Sequence, residues 1–502
     1  MKTSVLDLPS ELIASIVAYL PDNDVFATRR ANSHLERASL SHFGKRFFRK
    51  KGYMLSSPSL SVLQLIADHD ELRKYVQHVW FNPDLYTFVH PECAPDPEET
   101  PDPENPDSLL ELLAPSDRKK YEAYQECMQD HAHLIRNSGA KLASVLTEAF
   151  AKLPNLEILG MRRSEDHDPW GWSRLRDAVG EDPRVLGPIP SGPMYMLSGP
   201  TRLFIAIVHA VAATDTKLRR LYTDAVEIDN IRPDLLPQET LDKACGSIWY
   251  LETNVTKGWL NRRKGADYIT LTDTAEYGSG LVRLLQATSN LKEIGLQIFP
   301  DRKQSHLVAP SYRNPDSWRQ SYPYICLEKL TSSNVRLSHL TRIKLEKVTA
   351  SPALLLAFLS PSQAHLSSLK IRDVRLLGDE AITRPWQPVF EFLRDSCPKL
   401  EYILLYHLLY QLGGVSFVEN PPMPLPPSET DPTTGSPNPQ YGEPAGGELF
   451  TKYEHLALRV EGREAVQKKL EEIVEQHWYH KPIFSYAMDE DLWHTDTSDE
   501  EW

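Results

Sequence analysis

The chain has 502 residues, 41% of them hydrophobic, and a formal net charge of −14. That composition is ordinary for a folded protein and leaves room for about two to four structural units, while the acidic balance argues against general nucleic-acid binding, which needs a basic face. The five cysteines (Cys93, Cys127, Cys245, Cys326 and Cys397) are widely spaced with no Cys-x-x-Cys pair, so a disulfide framework is not expected and a reducing compartment, cytoplasmic or nuclear, is.

The N-terminus is amphipathic and carries acids, unlike a signal peptide. Leu6-Asp7-Leu8-Pro9-Ser10-Glu11-Leu12 opens a helix. Pro9 fits a first turn, where its missing N–H costs nothing, and Glu11 lies near the positive end of the helix dipole. Leu8, Leu12, Ile13, Ile16, Val17 and Leu20 recur at spacings of three and four and read as one apolar face, which Pro21 ends. Asp22-Asn23-Asp24 offers oxygens to cap a second helix, whose apolar residues are Val25, Phe26, Ala31 and Leu35. Helices this short cannot bury such faces alone, so some apolar surface has to meet a partner or the rest of the chain.

Residues 4–48 resemble the F-box family over Leu6, Leu8, Pro9, Glu11, Leu12, Ile16, Leu20, Pro21, Asp24 and Val25. The second half departs from the family pattern, which often has Val-Cys and then Trp where this chain has Ala31-Asn32 and Leu35. The resemblance implies a small all-helical module over residues 1–50. That module would bind the Skp-type adaptor of a cullin–RING ubiquitin ligase, and through it the cullin. Its implied adaptor-binding residues are Leu6, Leu8, Pro9, Glu11, Leu12, Ile16, Leu20, Pro21 and Val25. Phe43, Phe47 and Phe48 are read as closing the module.

In the following stretch, Lys45 to Lys51, aromatics interrupt the charges, which favours a solvated edge with buried rings over a nuclear-localisation signal. Residues 51–90 read as a helix–strand connector: a helix over 59–69 with Leu60, Leu63, Leu65 and Ile66 as its apolar residues, then a strand with Tyr75, Val76, His78 and Trp80. A helix-then-strand pair in this place is in the style of fungal F-box proteins. Residues 91–108 are rich in Pro, Asp and Glu and read as a disordered acidic loop. A helix is expected from Ser116 to Ala151, with Asn137-Ser138-Gly139 as a possible break. The longest apolar run, 203–213, is too short to span a bilayer, and no membrane partner is expected.

Across 109–410 a weak repeat recurs: an aliphatic residue, another three on, another two further. Leu156, Leu159 and Met161 fit it, as do Leu291, Ile294 and Leu296. The clearest copies are Leu340, Ile343, Leu345 and Val348; Leu366, Leu369, Ile371 and Val374; and Leu400, Ile403, Leu405 and Leu408. Leu218 and Leu221 give a degenerate copy, and Leu456, Leu458 and Val460 are read as a last one. Each alternating end suits a short strand, and a helical stretch precedes each of the main copies. The pattern resembles leucine-rich repeats, without the usual Asn or Cys at the turn, where Lys347, Asp373 and His407 stand nearby. The rival is an ordinary α/β domain whose strands share leucine spacing. Residues 411–448 read as a disordered Pro/Gly-rich insertion, 449–487 as a final strand and helix with Val466, Leu470, Ile473 and Val474 on one face, and 488–502 as an acidic tail. The expected fold class is thus α+β or α/β, a small helical F-box followed by an irregular leucine-rich-repeat-like α/β solenoid.

No constellation points to catalysis, a metal or a cofactor, and the chain is not read as an enzyme. Cys127, His131 and His133 have ligand-like spacing but no fourth partner nearby, and exposed helix histidines are the default. Gly278-Ser279-Gly280 precedes a helix and could cradle an anion, though a plain helix start explains it better. Trp170 and Trp172, with Arg174 and Arg176, could anchor a partner or pack an insertion. The expected function is that of a substrate-recognition subunit of an SCF-type ubiquitin ligase, holding an unidentified target protein through the repeat-like region. The alternative is an F-box interaction scaffold acting without ubiquitin transfer.

Overall fold

The computed structural model describes residues 5–83, 115–162, 168–179, 199–256, 277–299, 321–335, 337–377, 384–410, 413–417 and 457–480. The acidic stretches 91–108 and 488–502, Cys93, and most of 411–448 lie outside the described residues. The chain is mixed α/β and divides into two compact units, Met1–Pro193 with Arg202–Tyr222, and Met194–Thr201 with Thr223–Trp502.

The first unit begins with three helices, α1 (Ser10–Ala18), α2 (Asp22–Ala31) and α3 (Ser33–Phe47). Both α1 and α2 pack on α3 around Ile13, Val17, Val25 and Leu35. Pro21, in extended conformation, precedes α2, and Asp22 sits inside its first turn instead of capping it. The side chain that does cap is Asn32, whose Oδ1 accepts from the His34 N–H at 2.7 Å. A polar residue therefore stands between α2 and α3 because a helix start needs an acceptor there.

Strand β1 (Lys50–Met54), helix α4 (Ser57–Asp68) and strand β2 (His78–Asn82) follow. Leu60, Leu63 and Ile66 are buried on α4, but Leu65 faces solvent, correcting its place on the apolar face. Strand β2 starts later than expected; Tyr75 precedes it, and Val79 and Phe81 are its buried aliphatic and aromatic pair. Helix α5 (Pro115–Phe150) runs unbroken through Asn137 and Ser138. The expected break is therefore absent, but Gly139 has φ of +81° and a Cβ there would lie 2.9 Å from the Arg202 carbonyl oxygen, a local backbone irregularity that needs glycine. Next come β3 (Ile158–Met161), α6 (Trp172–Val179), α7 (Gly199–Ala213) and β4 (Arg220–Val226). Strands β1, β2, β3 and β4 pair in that order, all parallel.

The second unit alternates helix and strand. Its elements are α8 (Gln238–Cys245), β5 (Tyr250–Thr256), α9 (Ser279–Ala287), β6 (Glu293–Phe299), α10 (Tyr322–Ser332), β7 (Arg342–Glu346), β8 (Thr349–Ala350), α11 (Pro352–Leu359), β9 (Ser368–Arg372), β10 (Arg375–Leu376), α12 (Gln387–Ser396), β11 (Tyr402–Tyr406), β12 (Leu409–Tyr410), β13 (Gly413–Ser416), β14 (Ala457–Glu461), α13 (Arg463–Glu475) and β15 (Trp478–His480). Its main sheet runs from the end of β4 through β5, β6, β7, β9 and β11 to β14. Pairing is parallel from β5 to β11, and β14 closes the edge antiparallel, so the last of the expected repeat copies is not a repeat of the others. Leu458 is nonetheless buried; Leu456 lies outside the described residues. Successive helices α8 to α13 each pack on the next. A second sheet, in the order β15, β13, β12, β10 and β8, lies beyond the ends of β7, β9 and β11 in sequence. Its strand β13 draws 413–416 out of the insertion expected to be disordered from 411.

A buried residue at i, i+3 and i+5 marks the parallel strands β2 to β7, β9 and β11, and the second unit holds one such set that aliphatic spacing alone did not reveal: Ile248, Leu251 and Thr253. The first unit holds another, Val76, Val79 and Phe81. Seven residues after the leading aliphatic of four sets, the backbone turns left-handed: Ala225, Lys347, Asp373 and His407 have φ of 51, 54, 53 and 50°. At Lys347, Asp373 and His407 that turn follows the strand and carries the chain into the second sheet, whereas Ala225 lies within β4.

Candidate partner-docking site

The apolar residues of α1 form two stripes, not one face. Ile13 and Val17 are buried, and Leu20 and Leu8 are half-buried against them. Leu12 is 51% exposed, Ile16 46% and Tyr19 90%. Both runs keep the spacing i, i+4, i+7, and they are offset by one residue, about 100° around the helix. Only the first run is needed to hold the three helices together.

Of the residues expected to bind a partner, Leu6, Pro9, Glu11, Leu12, Ile16 and Pro21 lie at the surface. Val25 does not: it is 0% exposed, enclosed by α1 and α3, and is corrected to a core residue of the module. Leu8 and Leu20 belong mainly to the same core. Three exposed apolar residues were not among those expected: Val5, Tyr19 and Phe26. Tyr19 was legible, because it continues the Leu12–Ile16 spacing by one turn.

The rest of the module fixes this surface. Phe26 leans on Phe43 and Phe47, with ring centres 5.7 and 4.9 Å away, and Phe43 contacts Phe48 at 5.4 Å. The rings between Lys45 and Lys51 are therefore half-buried closures of the module, as expected for that stretch. The Arg29 guanidinium lies 3.9 Å from the Phe43 ring centre and donates to the Glu36 carbonyl at 2.9 Å. Burial lowers its pKa, and the Glu36 carboxylate opposes that. Arg46 donates to the Leu20 carbonyl at 2.8 Å and pairs with Asp22, tying the end of α3 to the turn between α1 and α2.

The glycine turn before α9 is occupied internally. The N–H groups of Gly278 and Gly280 donate to the Asp229 carboxylate at 2.7 and 2.8 Å, so the anion at the start of α9 is the chain's own. Burial raises the Asp229 pKa and these two donors oppose the rise. His131 is buried, with Nδ1 3.1 Å from the Leu55 carbonyl oxygen, which corrects its expected exposure; His133 is exposed. Among the described residues, no group of three or more His, Cys, Asp and Glu side chains could hold a metal ion. Trp172 is buried, while Trp170 is half-exposed with Lys51 5.6 Å from its ring centre. Among the described residues no helix is long and apolar enough to cross a membrane.

Compared with known proteins, the chain matches no protein-family model and no curated protein.

Proposed function

We propose that this chain is the substrate-recognition subunit of an SCF-type cullin–RING ubiquitin ligase. Its N-terminal three-helix module is an F-box that docks on a Skp-type adaptor. The observation that carries this reading is the second stripe of α1, Leu12, Ile16 and Tyr19, which stays exposed although the module already has a core. An apolar stripe on a short helix is the usual shape of a helical docking surface. Covering Leu12 and Ile16 completely would recover roughly half of the 1.5–3 kcal/mol that full burial of each such side chain is worth.

The remainder is an irregular leucine-rich-repeat array that presents one target protein. Support comes from the repeated i, i+3, i+5 burial, from helices that neighbour one another in strand order, and from strand burial that alternates on β7 and β11. A parallel sheet covered on both faces would read as a continuous apolar run instead. The array makes no bonds; it raises the effective concentration of a target lysine beside the transferring enzyme.

The test is co-purification of the tagged full chain with a cullin. Recovery of cullin together with a Skp-type adaptor, and a target whose ubiquitylation requires this chain, is the expected result. Adaptor recovered without cullin moves the chain to the scaffold alternative, and recovery of neither overturns the proposal.

A further inference from the structure

Three stretches of the chain place an arginine three residues before a hydroxyl side chain: Arg30 before Ser33, Arg220 before Thr223 and Arg302 before Ser305. Ser305 lies outside the described residues. Thr223 is buried, and its hydroxyl meets that of Thr253 at 2.8 Å. Ser33 is exposed, and so are Arg30 before it and Arg37 one helical turn after it. The only acid in the stretch 30–37, Glu36, lies 3.5 Å from Arg29. Among the described residues neither Arg30 nor Arg37 forms an ion pair. Two helix ends meet at this serine. Helix α2 ends at Ala31, Asn32 is extended with φ of −160° and ψ of 140°, and Ser33 opens α3. Helix ends open more easily than helix middles, so the backbone around Ser33 can be drawn into an extended form at small cost.

We propose that Ser33 is a phosphorylation site for an arginine-directed protein kinase, and that the phosphate it receives strengthens the start of α3. The proposal does not depend on the docking reading above. Recognition comes from charge: Arg30 can enter an acidic subsite of the kinase, the kind of charge pattern by which kinases select substrates. Arg29 is not available for this, because its guanidinium lies over the Phe43 ring and donates to the Glu36 carbonyl. In the transfer the bond from Ser33 Oγ to the γ-phosphorus of ATP forms as the bond from that phosphorus to its bridging oxygen breaks. ADP leaves with the bridging oxygen, and the hydroxyl proton passes to the kinase's catalytic aspartate. The product carries a charge of about −1.5 to −2 at the first residue of a 15-residue helix, beside its positive end. Arg37, at i+4, lies on the same face and supplies a guanidinium to the phosphate. Glu36, at i+3, opposes it, but is already drawn to Arg29. The His34 N–H stays with Asn32 Oδ1 at 2.7 Å, so the phosphate adds to the existing cap instead of replacing it.

The experiment incubates the full chain with the catalytic subunit of cAMP-dependent protein kinase and magnesium ATP. Tandem mass spectrometry maps the phosphate, and amide hydrogen exchange is followed before and after. Ser33 is expected to take up phosphate in the folded chain. Arg30→Ala should lower kcat/KM for Ser33 by about tenfold, the worth of one charged contact, and Ser33→Ala should remove the product. Phosphorylation should raise the protection of the amides of residues 36–40 by about two- to fivefold, as expected for an anion at a helix N-terminus. Arg37→Ala should cut that rise without slowing the transfer. Melting of each unmodified variant is measured alongside; where an alanine variant melts early, the glutamine variant takes its place and carries the same expectation. Phosphate confined to other residues, such as Ser305, overturns the proposal, and so does transfer to Ser33 that Arg30→Ala does not slow. Protection that phosphate leaves unchanged, or a rise that Arg37→Ala leaves whole, overturns the strengthening of α3.

Discussion

Leu12 and Ile13 are neighbours in the chain, yet one faces solvent and the other helps hold three helices together. Their different burial separates docking from stability in a way mutation can read. Val25→Ala should lower unfolding free energy by about 1–3 kcal/mol, because it opens a cavity in a small closed core. It should leave adaptor affinity unchanged once the folded fraction is allowed for. Leu12→Asp with Ile16→Asp should do the reverse, with a change in stability of about 1 kcal/mol or less from helix propensity. Denaturant unfolding and adaptor titration on the same samples give both numbers. A Val25→Ala variant that stays fully folded and loses adaptor would return Val25 to the interface. His131 belongs to the same scale. Burial pushes its pKa from 6.5 down to about 4, so it is neutral in the folded chain and charged in the unfolded one between those values. Its contribution to stability is therefore whole above about pH 6.5 and is lost as pH falls toward 4, by at most about 1.4 kcal/mol per pH unit. His131→Leu should be less stable than wild type at neutral pH, with the gap narrowing on acidification. A gap that stays constant from pH 7 to 4 contradicts the assignment of a neutral buried imidazole.

At the scale of elements, a left-handed residue recurs at one position of four of the sets; after β7, β9 and β11 it redirects the chain, and in β4 it falls inside the strand. Ala225 occupies it without any side chain to justify a φ of 51°. Ala225→Gly should therefore raise stability by up to about 1 kcal/mol, the left-handed penalty less glycine's extra entropy. Ala225→Val should lower it, since a branched side chain is a true outlier in that region; thermal melting of both variants reads the sign. A Gly variant no more stable than wild type would show that the turn is unstrained. Element by element, the chain's legibility followed its chemistry. Strands β7, β9 and β11 were plain because all three inward positions are aliphatic. Strand β5 was hidden because Thr253, whose hydroxyl meets that of Thr223 at 2.8 Å, replaces an aliphatic residue at the third position. Strand β2 was read in the wrong phase because Trp80, although outward in the alternation, is also buried. The α1 face could not be divided from sequence, since both of its stripes satisfy the same helical period and only packing tells them apart. The anion cradle at Gly278 was visible as a motif, but the carboxylate that fills it lies far away in sequence, at Asp229.

At the scale of the whole molecule, the chain divides into two compact units, and the exposed apolar stripe of α1 belongs to the first. An apolar surface of this kind should hold a partner with little dependence on salt. The central claim, that the exposed stripe of α1 is a docking surface, is tested most directly by calorimetric titration of a purified Skp-type adaptor into the full chain. The account predicts one-to-one binding that persists at high salt and disappears with Leu12→Asp and Ile16→Asp while the melting temperature holds. Binding that survives both substitutions, or wild-type chain that takes up no adaptor at all, would contradict it.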